Sequence, residues 1–114
     1  QMDEIIKLHK KYLEGDSGGA RCVLKFRDLT GLKLKGKDLT GADFTGSLLN
    51  EADLSEGIFE TTSFFVADLR RANLEKGRFS RADFRGAYVL GANLTEADLS
   101  RADLREGVVM EVSR

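Results

Sequence analysis

An apolar side chain returns at every fifth position from Leu24 to Val109, and that period excludes most ways of folding a chain. The column holds eleven Leu, five Phe and two Val in eighteen positions. Hydrophobic residues make up 41% of the sequence. At that background an unbroken column has a chance probability on the order of 10⁻⁷. The position two places earlier is small (Ala, Gly, Ser, Thr or Cys) in fifteen of eighteen units, the exceptions being Arg27, Leu32 and Lys37 in the first turn. The position just before the apolar residue is Asp or Asn ten times. The last two positions are mixed polar, with glycine at Gly31, Gly36, Gly41, Gly46, Gly86 and Gly91.

A period of five matches neither the helical repeat of 3.6 nor the strand repeat of two. Within one unit, however, positions one and three are buried types and position two is polar, which is strand alternation over three residues. The chain must then turn within two residues and begin again. Short strands joined by corners make a coil, and stacked coils pair their backbones about 4.8 Å apart. The sequence contains no proline, so its corners are made by other means. Glycine admits positive φ there, and Asp or Asn side chains bond backbone amides at turns.

The units Ala42-Asp43-Phe44, Ala52-Asp53-Leu54, Ala72-Asn73-Leu74, Ala97-Asp98-Leu99 and Ala102-Asp103-Leu104 resemble the pentapeptide-repeat family, whose consensus is Ala-Asp/Asn-Leu-x-x. The resemblance runs from residue 22 to residue 109 without an insertion. It implies an all-β chain coiled as a right-handed, four-sided (quadrilateral) parallel β-helix with four repeats per coil. Eighteen repeats then give about 4.5 coils and a rod roughly 20 Å long.

A solenoid exposes an apolar stack and unpaired strand edges at each end, so both ends need covers. Residues 3–14 read as an amphipathic helix with Asp3 as N-cap and Gly15 at its end. Ile5, Leu8 and Tyr12 form its apolar stripe, with Ile6 and Leu13 beside it. This helix is expected to cover the first coil, where Arg27, Leu32 and Lys37 break the pattern. Residues 15–20 are read as a flexible joint. The chain therefore divides into a capping helix and linker, 1–21, and a solenoid, 22–114, within one domain. At the other end Val108, Val109, Met110 and Val112 are not followed by a helix. Either the chain is a domain of a longer protein or this end pairs with a second copy; the family resemblance includes members that dimerise end to end.

No catalytic, cofactor or metal site is expected. His9 is the only histidine and lacks the cluster of ligands a metal needs; packing or surface placement is its expected role. Cys22, the single cysteine, sits at a small inward position and reads as an inert buried residue. The recurring Asp residues suit corner hydrogen bonding better than a calcium solenoid, which needs glycine-rich nonapeptides. Asn93-Leu94-Thr95 fits a glycosylation acceptor, but the repeat consensus produces it unaided.

With twenty residues per coil, Leu48, Tyr88 and Val108 share one outward column, Leu90 and Met110 a neighbouring one, and Phe65 and Val66 lie at the edge. These seven form the candidate interaction face. Val108, Val109, Met110 and Val112 form the candidate dimer contact at the C-terminal end. A second feature is the set Arg78, Arg81, Arg85, Arg101 and Arg105, with Arg70 and Arg71 nearby, interleaved with Asp83, Asp98 and Asp103; it reads as a salt-bridged, solvated surface.

These features favour a non-catalytic structural or protein-interaction module, a rigid scaffold whose partner the residues do not name. The alternative is a DNA mimic that binds gyrase, a type II topoisomerase, as some family members are thought to do. That role asks for a long, strongly acidic rod, whereas residues 22–114 carry fifteen Asp plus Glu against fourteen Lys plus Arg. The net charge of −1 favours no direct nucleic-acid binding. No apolar run is long enough to span a bilayer. The lack of a signal-peptide pattern and the single cysteine point to the cytoplasm, and the family resemblance suits a bacterial protein.

Overall fold

The structure is a computed structural model, and it describes residues 1–106. After a helix, α1 (Met2–Leu13), the chain forms a stack of coils. Thirteen parallel bridges join residues twenty apart, from Val23↔Asp43 to Asp83↔Asp103. One coil is therefore four five-residue units. The inward residues form four columns. The first face carries Leu24, Phe44, Phe64, Phe84 and Leu104, and the second Leu29, Leu49, Leu69 and Val89. The third carries Leu34, Leu54, Leu74 and Leu94, and the fourth Leu39, Phe59, Phe79 and Leu99.

The backbone amides account for the repeat. In the unit around Phe44, Asp43 N–H donates to Cys22 O of the coil before, and Phe44 N–H to Ser63 O of the coil after. Gly46 N–H donates to Phe65 O, and Ser47 N–H closes the turn onto Phe44 O. One amide per unit, that of Thr45, is left over, and the Asp43 carboxylate accepts it at 2.9 Å. All ten Asp and Asn residues of that column do the same for the residue two places on. The acidic column is thus the side-chain half of a backbone network, because a buried amide without a partner is costly.

The corners go further than the glycine pattern suggests. All sixteen corner residues from Phe26 to Arg101 have positive φ, and ten of them are not glycine. Each carries the cost of a left-handed conformation on an L residue. It is sustained because the flanking amides are fixed to the coils on either side. Ser47 handles one irregular corner: it accepts the Arg27 N–H at 2.9 Å and donates to Leu24 O, standing in for a turn bond.

Five phenylalanines fill the middle of the rod. Phe44, Phe64 and Phe84 stack along the first face at ring separations of 5.6 and 5.1 Å. Phe59 and Phe79 stack along the fourth at 5.3 Å. Where the fourth face holds Phe, the small residue two places earlier is glycine, Gly57 or Gly77. A Cβ there would overlap the ring of Phe59 or Phe79 and press on the backbone carbonyls of Leu54 or Leu74. Gly77→Ala is therefore expected to lower stability by about 1–3 kcal/mol, the cost of overpacking a filled core, although alanine is the usual residue at that position. A urea midpoint unchanged by Gly77→Ala would contradict this packing.

The helix covers the first coil as expected, but with different contacts. Met2, Ile5 and Ile6 pack against the core, whereas Tyr12 and Leu13 are largely exposed. Asp3 is not the N-cap: α1 begins at Met2 after Gln1, and Asp3 lies in the first turn, where its charge suits the helix dipole. Gly15, with φ of 78°, follows the C-cap Glu14. Residues 15–20 are no loose joint. Asp16 N–H bonds Lys11 O and Ala20 N–H bonds Leu8 O. Gly19 lies so close to the Tyr12 backbone that a Cβ would collide with it.

Candidate interaction surfaces

The second face and its two flanking corners gather most of the outward apolar residues. The bridges Leu48↔Asp68 and Asp68↔Tyr88 put Leu48 and Tyr88 in one column. Leu48 and Tyr88 are each 43% exposed and Leu90 is 78% exposed. Phe65 and Val66 are half-buried. Val108 and Met110 of the expected face lie outside the described residues, as do all four residues of the expected dimer contact, Val108, Val109, Met110 and Val112. Phe26 is 73% exposed on the same corner column as Gly46 and Val66, its ring lying against Gly46. It extends the patch towards the first coil and was not among the expected residues. Its signal was its place at a corner position where glycine or a polar residue is usual.

Two arginines lie across this patch. The Arg85 guanidinium sits 4.8 Å from the Phe65 ring centre and that of Arg70 sits 5.8 Å from Tyr88. Neither is free to swing. Arg70 makes two parallel bonds to Asp68, at 2.9 and 2.6 Å, and Arg85 makes the same pair to Asp83, at 2.9 and 2.8 Å. Arg105 repeats the arrangement with Asp103. The surface is a mosaic of rings and fixed guanidinium groups. Val66 adds a second point: a β-branched residue at φ of 50° is strained. Val66→Gly is expected to raise stability by about 1 kcal/mol, read as a higher urea midpoint; a fall would mean that the side chain's packing outweighs the strain.

The bidentate arginines hold Asp68, Asp83 and Asp103 below the usual carboxylate range, Asp103 down to about 2. Hydroxyl partners Thr30, Ser55 and Ser100 lower Asp28, Asp53 and Asp98 in the same direction. A carboxylate whose folded pKa lies below its unfolded value stabilises the fold above that unfolded value. The stabilisation is lost as pH falls through the folded pKa. This acid limb accordingly begins below about pH 4.

Five of the seven expected surface arginines are in ion pairs: Arg70 with Asp68, Arg71 with Glu51, Arg78 with Glu60, Arg85 with Asp83, and Arg105 with Asp103. Among the described residues, Arg81 and Arg101 make none, and no group of three or more His, Cys, Asp or Glu could hold a metal ion. Cys22 is 2% exposed, and burial pushes its thiol up to about 11. No helix among the described residues is long and apolar enough to cross a membrane. At the far end, the inward residues Phe84, Ala87, Val89, Leu94, Leu99 and Leu104 line an apolar depression of about 190 Å³.

The coil register, the Asp/Asn column and the small–polar–apolar unit define a β-helical solenoid of five-residue repeats. The chain matches the family model for pentapeptide repeats in eight copies over residues 28–60 and 62–101, and it belongs to the pentapeptide-repeat family. A pentapeptide repeat protein from the thylakoid lumen of Arabidopsis thaliana has a similar solved structure, with 37% identity, a TM-score of 0.69, and coverage of 69% of this chain and 55% of that one. Another is HetL from the cyanobacterium Nostoc sp. strain PCC 7120, a pentapeptide repeat protein involved in heterocyst differentiation regulation. It has 30% identity and a TM-score of 0.67, over 75% of this chain and 44% of HetL. A further pentapeptide repeat protein from the same cyanobacterium, 24% identical with a TM-score of 0.62 over 89% of this chain and 84% of that one, shares the fold. This chain spans about half the length of the first two. No curated protein matches it.

Proposed function

We propose that the chain is a non-catalytic scaffold, right-handed like the coils its family is known for, which binds another protein through the outward second face, formed by Leu48 and Tyr88 with Phe65 and Val66 at one edge and Leu90 at the other. Cap (1–21) and solenoid (22–114) act as one unit. The observation that carries this reading is the exposure of Leu48, Tyr88 and Leu90 on one side of a rod whose other outward columns are mostly polar. Aromatic rings and arginine are the residues enriched at the centres of protein interfaces. Arg70 and Arg85 are already held by Asp68 and Asp83 beside Tyr88 and Phe65, so less side-chain freedom remains to be lost on binding. Membership of a structural family and the involvement of HetL in regulation agree with such a role. The test is affinity capture from the source cells with the wild type and with Leu48→Lys/Leu90→Lys. A protein retained by the first and lost from the second, with unchanged thermal unfolding, supports the face; equal retention contradicts it.

The apolar depression at the far end favours a second contact, with another copy of the chain. Dimers are expected to form with rising concentration and to be weakened by Leu104→Glu or Val109→Lys, as read by light scattering. A strict monomer at all concentrations would remove this contact. The near-balanced charge of the solenoid argues against duplex mimicry, so gyrase supercoiling is expected to be unaffected at micromolar protein, and inhibition would reverse that ranking. The cytoplasm is the compartment we propose, with the single cysteine, Cys22, as its support.

A further inference from the structure

His9 is fully buried between α1 and the first coil. Its Nδ1 lies 2.9 Å from the Cys22 amide nitrogen and its Nε2 2.9 Å from the Thr40 carbonyl oxygen. The partners settle the tautomer. A carbonyl can only accept, so Nε2 bears the hydrogen; a backbone amide can only donate, so Nδ1 is bare. The repeat explains why these two groups need a partner. One coil later the amide equivalent to Cys22, that of Ala42, closes a turn onto Leu39 O. The carbonyl equivalent to Thr40, that of Glu60, accepts from the Gly41 amide of the coil before. The first coil has no coil or turn before it. The imidazole supplies the missing acceptor and the missing donor from one ring, as a peptide group would.

We infer that His9 is an acid-operated latch: α1 stays docked on the first coil while the imidazole is neutral and is released when Nδ1 takes up a proton. The proton occupies the lone pair that accepts the Cys22 N–H, leaving two donors facing each other in a buried site. The titratable and charged groups around the ring are Tyr12 on α1, 5.4 Å away between ring centres, Arg21 and Cys22 at the start of the first coil, and Asp38 on the fourth face. Burial opposes the charged form most strongly and Arg21 adds to that, while Thr40 and Asp38 favour it; the balance lowers the His9 pKa from its ordinary value.

A group whose folded pKa lies below its unfolded value binds its proton more readily when undocked. Docking therefore weakens as pH falls below about 6.5, by up to about tenfold per unit, until the folded pKa is reached. The depressed carboxylates begin to contribute only below about pH 4, so the range between about pH 7.5 and about pH 5 isolates the histidine.

Cys22, the single cysteine, reports docking, because it is 2% exposed in the coil that α1 covers. Its labelling rate by a dithiodipyridine is measured in the wild type and in His9→Gln. The glutamine amide has one acceptor and N–H donors at a spacing near that of the two imidazole nitrogens, and it does not titrate. The ratio of wild-type to variant rate at each pH cancels the chemistry of thiol and reagent. The latch predicts a ratio that rises severalfold between about pH 7.5 and about pH 5, the rise beginning below about pH 6.5. A constant ratio overturns it. If His9→Gln labels fast at every pH, the imidazole nitrogens of the wild type decide the matter by nuclear magnetic resonance. Nδ1 remaining bare wherever the Cys22 amide is protected supports the latch; a doubly protonated ring with that amide still protected overturns it.

Discussion

Phe64→Ala is expected to lower the unfolding free energy by about 3–5 kcal/mol, the range for removing a buried phenylalanine. Phe64 sits in the third coil and is fully buried. Its ring meets four others: Phe44 and Phe84 along its own face, and Phe59 and Phe79 across the axis at 5.8 and 6.0 Å. The cavity is central and is walled by coils that pair their backbones above and below, so it has little freedom to collapse. Domains of this size have only about 5–15 kcal/mol in total, so a single truncation removes a large share. A solenoid is stabilised by contacts between neighbouring coils, so the loss also uncouples the two halves of the rod. The expected reading is a lower urea midpoint with a shallower transition. Phe64→Leu, which introduces the commonest residue at the apolar position of the repeat, is expected to lose less than half as much. A loss below about 1 kcal/mol for the alanine variant would contradict the packed aromatic core.

Removal of residues 1–14 is expected to cause aggregation or end-to-end polymerisation. The deletion uncovers Leu24, Leu34 and Leu39, which are at most 2% exposed beneath α1 and the coil below. It also strands the Cys22 amide and the Thr40 carbonyl that His9 satisfies. An open coil with unpaired edges and an apolar centre is a template for another chain, and terminal covers are what keep solenoids soluble. Light scattering after size exclusion reads the outcome. A deletion variant that stays monomeric and equally stable would mean that α1 is not the cover.

The coil was legible because its cause is periodic. A residue that faces the axis once per side must recur every five positions, and the column from Leu24 onward does so without a gap. The Asp/Asn column was legible for the same reason. Four units per coil did not follow from the period; that came from the family resemblance, and the pairing of residues twenty apart establishes it here. What escaped the sequence is what occurs once. His9 lies among Met2, Ile5 and Ile6 on the buried side of α1, and a polar residue in an apolar stripe was its only signal. The tight fit of Gly19 against Tyr12 made a turn of a segment whose composition reads as a joint. The arginines were counted as a charged surface, but their laying over Phe65 and Tyr88 depends on residues in different coils, which no local pattern records. Most of the interaction face, Leu48, Phe65, Val66, Tyr88 and Leu90, could be placed once the stacking was known; Phe26 was missed, because one exposed aromatic does not form a column.

The central expectation is a protein contact through the outward second face. The most direct test replaces Tyr88 with a photo-crosslinking phenylalanine in the source cells, and in parallel replaces Thr95, an exposed residue of the third face. The account predicts an adduct with one protein from position 88, its loss when Leu90→Lys is added, and no such adduct from position 95. No adduct from position 88, or the same adducts from both positions, would contradict it.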